Sequence, residues 1–337
     1  MPTIQELKSS LRLPVVGAPM FIVSTPELVI AQCTAGIVGA FPSLNARPAK
    51  ALDEWLARID TALADARSAR PDAPVAPDAV NLIVHHTNDR LEHDLEACVR
   101  HRVPVVITSL REPSAVVEAV HGYGGLVLHD VTTLRHARKA IAAGVDGLIL
   151  VCAGAGGHAG MLSPFALLQE VRAEFDGLLL LAGAIAHGEA VLAAEVMGAD
   201  LAYVGTRFIA TAEANAPDTY KRMLVDGAAA DIVYTSTFTG VPGNYLAPSI
   251  RAAGLDPDRL PGADKRAMNF ADAGSELKDS KAWRDIWGAG QGLGAIRDVR
   301  PAGDVVATLD AEYSAARRAW RDRLAGDAVG TARARQA

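Results

Sequence analysis

Residues 124–152, GGLVLHDVTTLRHARKAIAAGVDGLILVC, read as strand, helix and strand in one line. GGLVLHD (124–130) and DGLILVC (146–152) are short apolar runs of β-prone residues, and TLRHARKAIAAG between them has helical period. The apolar runs are continuous rather than alternating, which implies burial on both faces, as in a parallel sheet. AAGVDG ends the helix on glycine just before the second strand, the junction expected between a helix and a following strand.

The same beat continues in both directions. Upstream lie PVVGAPM (14–20), GIVGAF (36–41), VAPDAVNLIV (75–84) and VPVVITS (103–109), and downstream GLLLLAG (177–183) and LAYVGT (201–206). Eight strands in βα alternation predict an α/β fold, a (β/α)8 TIM barrel over residues 1–212, ahead of an open doubly wound sheet. No GxGxxG follows the first strand, which weakens a dinucleotide-binding reading. After Thr206 the rhythm breaks. Residues 213–299, with APDTYKRMLVDG, TGVPGNYLAPS and the pair Trp283 and Trp287, read as an additional, mainly helical, lid-like subdomain. Residues 300–325 read as a C-terminal helix packing on the barrel, and 326–337 as a frayed tail.

The chain has 337 residues, half of them hydrophobic, and a net charge of −6. Without a basic stripe, that charge argues against nucleic acid as a partner. Cys33, Cys98 and Cys152 are too few and too scattered for a disulfide framework or a zinc site. No histidine pair stands at ligand spacing with a carboxylate, so no metal is expected. Residues 1–12 carry charge before any apolar run, unlike a secretory signal. The stretch 147–169 lacks Asp, Glu, Lys and Arg, but GAGGHAG and an SP pair interrupt it, so it reads as a loop rather than a membrane span. The expectation is a cytoplasmic protein with no membrane partner.

A barrel keeps its chemistry at the C-terminal ends of its strands, and the notable residues collect there. Met20 ends the first strand, Asn81 lies late in the third, and His129 and Asp130 end the fifth. Gly183 and Ala184 end the seventh, and Gly205 and Thr206 the eighth. After the sixth comes CAGAGGHAG (152–160), with four glycines around one histidine. Glycine costs conformational entropy, so so bare a backbone points to close approach by a partner or to a tight turn. His158 in that setting is a candidate general base, poised near neutral pH. Glycines in LAGAIAHGEA and YVGTRF, with the Thr206 hydroxyl, suit a phosphate at the last two loops; simple turns are the other reading.

GAPM, VN, AGGHAG, LAGAIA, VGTRF and the late WGAGQGLG, in that order, resemble the nitronate monooxygenases, formerly called 2-nitropropane dioxygenases. The resemblance implies FMN across the barrel mouth. Ala18, Pro19, Met20 and Asn81 would lie near the isoalloxazine ring, Asp130 at the end of the fifth strand, and Gly157 at the flavin's border. Gly183, Ala184, Gly205 and Thr206 would hold the phosphate, and Gln291 would approach from the lid. His158 would be catalytic, removing the α-proton of a nitroalkane or positioning a nitronate, with O2 as co-substrate and a carbonyl compound and nitrite as products. A homodimer is implied as well. Flavin-dependent enoyl-ACP reductases and NAD(P)H:quinone reductases carry similar motifs, so an NAD(P)H-dependent flavin reductase is the alternative. Two departures stand out. AGAGGH replaces an EAGGH-like run, and Asp130 stands where relatives often have lysine or an amide. A carboxylate there is expected to turn away, leaving His129 to face the site.

Overall fold

In the computed structural model, which describes residues 3–260 and 285–334, the apolar runs become parallel strands. These are β1 (Val15–Gly17), β2 (Gly39–Pro42), β3 (Asp78–Val84), β4 (Val105–Leu110), β5 (Leu126–Val131) and β6 (Gly147–Val151). A two-residue strand, β7 (Gly157–His158), stands apart from them, and β8 (Leu178–Ala182) and β9 (Leu201–Val204) complete the set. The hydrogen-bonded order is β1-β9-β8-β6-β5-β4-β3-β2. Its two ends meet where Gly17 N donates to Val38 O at 2.8 Å and Val38 N to Val15 O at 3.3 Å. The sheet is thus a nearly closed eight-stranded barrel, as the alternation predicts, and not an open doubly wound sheet.

Side chains point alternately to the two faces of a strand, and this divides the apolar residues into two layers. Ala79, Val105, Ile107, Leu126, Leu128, Ile149, Leu178, Leu180 and Leu201 fill the barrel interior. Val80, Leu82, Val106, Val127, Leu148, Leu150, Leu179 and Leu181 pack outward against the helices. The helix Ile4–Ser9 sets Leu7 into the interior cluster and so plugs the N-terminal end. A reciprocal cap fixes its start: Glu6 N donates to Thr3 Oγ1 and Thr3 N to Glu6 Oε2. With one end plugged, the open end lies at the strand C-termini.

The last helix, Ala302–Ala334, buries Val305, Val306 and Leu309 in a cluster that also contains Leu28 and Val191. It is tied there by Tyr313, whose hydroxyl donates to Glu195 at 2.6 Å, and by Glu312, which accepts from Gly188 N at 2.8 Å.

Between residues 213 and 299 the described helices include Asp218–Asp226 and Ala247–Ala252. The segment also contributes two strands, β10 (Ile232–Thr235) and β11 (Gly243–Leu246), which form an antiparallel sheet with β7. Helical periodicity alone gave no sign of this sheet. Residues 261–284, Trp283 included, lie outside the described residues, as do the last three residues of the tail. No described helix is long and apolar enough to cross a membrane.

Candidate active site

The uppermost layer of the barrel interior forms the floor of a cavity of ≈ 1420 Å³. Strand alternation decides which groups face it. On β5, Leu126 and Leu128 point inward, so Asp130 does too, and it lines the cavity. His129 points the other way. It is buried, with Nδ1 2.8 Å from Thr108 Oγ1. The expectation that Asp130 turns aside in favour of His129 is therefore reversed: a two-residue period cannot present neighbours to the same face.

Asn81 on β3 and Ser109 on β4 share that layer with Asp130 and connect to it across three strands. Asn81 Nδ2 donates to Ser109 Oγ at 2.8 Å, and Ser109 Oγ donates to Asp130 Oδ2 at 2.6 Å. Asp130 Oδ1 is buried without a hydrogen-bond partner. Burial pushes this carboxyl up to about 6, against the smaller opposing effect of the Ser109 hydroxyl. Burial, with Asp130 nearby, also raises the Tyr203 phenol well above its ordinary value.

Because the folded-state pKa of Asp130 is raised, the folded state binds the proton more tightly than the unfolded chain. The acid form stabilises the fold at low pH, and that stabilisation is lost as pH rises from 3.8 through about 6. Above that window the ionised group costs up to about 3 kcal/mol. Asp130→Asn should therefore stabilise the cofactor-free chain by that order at neutral pH, with no gain in acid. Urea unfolding across pH measures the difference, and a gain that does not depend on pH would contradict it.

His158 is placed by pairing rather than by its loop alone. It is aligned with Gly243, and Gly157 with Asn244, across the β7–β11 ladder. Asn244 Nδ2 donates to Ala155 O at 2.6 Å, and Gln291 N donates to Gly154 O at 2.9 Å, so the glycine loop is latched from two distant segments. His158 Nε2 lies 2.9 Å from Thr239 Oγ1. That hydroxyl also donates to Val241 O at 3.0 Å, which leaves it to accept from the ring at Nε2. Burial pushes the imidazole down to about 4. The ring is held neutral rather than poised near neutrality as the sequence suggested.

The glycines have different jobs. Gly183, at φ +139°, approaches Ala153 so closely that a Cβ would stand 2.7 Å from its carbonyl oxygen. Gly157, at φ +66°, lines the cavity, and a Cβ there would meet no atom within 4 Å. The first glycine serves packing, and the second leaves a bare peptide face toward the cavity.

Ala18, Pro19, Met20, Asn81, Asp130, Gly157, His158, Gly183, Ala184, Gly205 and Thr206 all line this one cavity. Gln291 does not. Its side chain is exposed, and its backbone supports the Gly154 turn while its neighbours Gly290 and Gly292 reach the wall. Thr206 Oγ1 accepts from Gly290 N at 2.9 Å, which draws the late glycine segment onto the end of β9. Ser109, Thr239, Tyr203 and Tyr220 also line the cavity without having been singled out in the sequence, and Tyr220 stacks on the cavity-lining Trp287 with ring centroids 4.8 Å apart. Among the described residues no cluster of His, Cys, Asp or Glu could hold a metal ion.

The model of the nitronate monooxygenase family matches residues 5–312, most of the chain. The chain belongs to that family. Nitronate monooxygenases of Paraburkholderia phytofirmans and Neurospora crassa are 29% and 28% identical to it, over 89% and 88% of this chain and 92% and 88% of theirs. The structure of nitroalkane oxidase from Streptomyces ansochromogenes superimposes with a TM-score of 0.75 at 28% identity, covering 93% of this chain and 99% of that one. FabK from Thermotoga maritima superimposes with a TM-score of 0.73 at 22% identity, over 95% of this chain and 98% of its own, and shows the shared fold alone. This nitronate monooxygenase family member is thus an oxidoreductase built on a barrel, with its large cavity at the strand C-termini.

Proposed function

We propose that the protein is an FMN-dependent nitronate monooxygenase, which converts alkyl nitronates and O2 into carbonyl compounds and nitrite. The observation that carries this reading is His158, a neutral imidazole next to the bare Gly157 peptide in the cavity wall.

The cavity residues fit such a cofactor. A flat ring needs a wall without side chains, which Gly157 supplies, and polar atoms at its heterocyclic edge, which Asn81, Ser109 and Asp130 supply. Ala18, Pro19, Met20 and Asn81 would hold the ring. Gly183, Ala184, Gly205 and Thr206 would hold the phosphate, where small residues let backbone N–H groups come close. When bound, FMN supplies electron exchange with substrate and oxygen, which no side chain here can do.

The protein's part is charge and orientation. An anionic nitronate beside His158 counteracts the effect of burial, because a nearby opposite charge favours the protonated ring. Nitronate binding therefore takes up a proton on the imidazole, and the imidazolium faces the anion while Thr239 fixes the ring through Nε2. Apolar walls from Met20, Ile185, Phe238 and Trp287 exclude water and strengthen that pairing. A base held near 4 is poorly matched to the C–H proton of a neutral nitroalkane, so the nitronate is the better substrate.

The test is nitrite release from ethyl nitronate under air, without nicotinamide, before and after removal of FMN. Turnover that tracks bound FMN, and exceeds turnover of nitroethane, is the expected result. A yellow protein that makes no nitrite but is bleached by NADH without oxygen would instead be a flavin reductase.

A further inference from the structure

Asp130 is the one carboxylate among the described residues that line the cavity. Its hydrogen bonds leave one oxygen unused in a definite way. Asn81 Nδ2 donates to Ile107 O at 3.3 Å as well as to Ser109 Oγ, which fixes the end of the amide that faces the serine. Ser109 Oγ therefore accepts from Asn81 and has its single proton left for Asp130 Oδ2. A proton taken by the carboxyl then goes to Oδ1, the buried oxygen without a partner. Three strands hold the carboxyl in place without supplying a charge to balance it.

No neighbour supplies one either. From β4 Asp130 faces the Ser109 hydroxyl, from β6 its register partner Ile149 and then Val151, and from β9 the Tyr203 phenol. The other titratable side chains of the described wall are Arg47, His136, His158, Tyr220 and Tyr234. Burial holds both imidazoles below their ordinary value and the phenols above theirs, so all of these rings are neutral at neutral pH. Arg47 is turned to Leu44 O, 3.0 Å from its Nε, and to the face of Phe21. Burial and the Ser109 hydroxyl alone displace the Asp130 carboxyl, up to about 6. A carboxyl held there is ionised at neutral pH but loses its charge readily. A second negative charge arriving nearby, in an apolar surrounding, favours the neutral acid.

We propose, resting on the reading of the site above, that Asp130 takes up a proton when the bound flavin is reduced, so that the charge arriving on the ring meets a neutral acid. The electrons come from the nitronate in turnover, or from dithionite in a titration. For each flavin reduced, one proton passes from solvent to Asp130 Oδ1, beyond any that the ring takes itself. An O–H bond forms there, and no bond of the protein breaks. Asp130 thereby tunes the flavin through charge.

The test is the midpoint potential of the flavin-loaded protein against pH, by anaerobic dithionite titration with indicator dyes and no nitronate. The curves of wild type and Asp130→Asn should coincide below about pH 6, where both side chains are neutral. Above it the wild-type potential should fall more steeply, by one proton per flavin, leaving the wild type harder to reduce. Ser109→Ala should keep the extra slope and move its onset to higher pH, because the lost hydroxyl had favoured the ionised form. A merely structural role would move neither slope nor onset. Curves that stay parallel at every pH overturn the proposal. So does an extra slope that survives Asp130→Asn, since the proton would then go to His158 or His136. Should Asp130→Asn lose the flavin, Ser109→Ala decides, and an unshifted onset there overturns the proposal too. Separated curves without nitrite from any nitronate would keep the role of Asp130 and remove the reaction. A chain that holds no flavin would remove the proposal together with the reading it rests on.

Discussion

His158→Ala should lower kcat/KM for ethyl nitronate at least about a hundred-fold while the protein keeps its bound flavin and its fold. The imidazole is the group at the bare Gly157 wall able to gain a proton when an anion arrives, and alanine removes both the charge and the positioning. Thr239→Val should cost less, about ten-fold, because it removes one hydrogen bond and leaves the ring. The two variants are told apart by pH. Wild type should bind nitronate more tightly as pH falls, since binding takes up a proton, and the slope should vanish in His158→Ala. In Thr239→Val the slope should survive at a lower affinity, because the ring still titrates but is no longer held through Nε2. If His158→Ala keeps the wild-type slope, the proton goes elsewhere, and Asp130 is the next group in the cavity to examine.

The barrel was legible because both of its periods are written in the chain. Continuous apolar strands and Ala-rich helices repeat eight times, and each strand end marks the floor of the site without further information. The parity of those strands was not legible, because both of their faces are apolar: the structure puts Leu126 and Leu128 inside, which fixes Asp130 inside, and Val105 and Ile107 inside, which fixes Ser109. The error over His129 came from weighing charge against a cofactor where the strand's two apolar faces give no parity. Thr239 is a different case. It reaches His158 only because β11 pairs with β7, and a two-residue strand inside a glycine loop has no periodicity to detect. The partner strand is equally obscure, since GNYL follows a Pro/Gly-rich turn that reads as loop. Gln291 shows the limit of carrying a role over by motif. The segment is where the motif suggests, but its glycines reach the wall and the glutamine side chain is exposed.

Gly157→Asn and Gly183→Asn should fail in opposite ways, and the contrast locates the cofactor. Asparagine tolerates the left-handed region near φ +66°, so the backbone at Gly157 can accept it at a cost of about 1 kcal/mol. Its side chain then projects into space where no protein atom stands within 4 Å of the Cβ. The stability of the cofactor-free chain should change little, while flavin affinity falls by orders of magnitude and the protein purifies colourless. At Gly183 the conformation, φ +139°, lies outside the left-handed helical well, and the Cβ would meet the Ala153 carbonyl oxygen at 2.7 Å. There the cost falls on the fold, about 1–3 kcal/mol or more, and the cofactor-free Tm should drop. Visible absorbance of bound flavin and thermal unfolding of the stripped protein read the two effects separately. A fully yellow Gly157→Asn variant would mean that the bare peptide face is not where the ring lies. Gly154 and Gly156 would then be accounted for by their close approach to residues 289–291, and Gly160 by its approach to Val151.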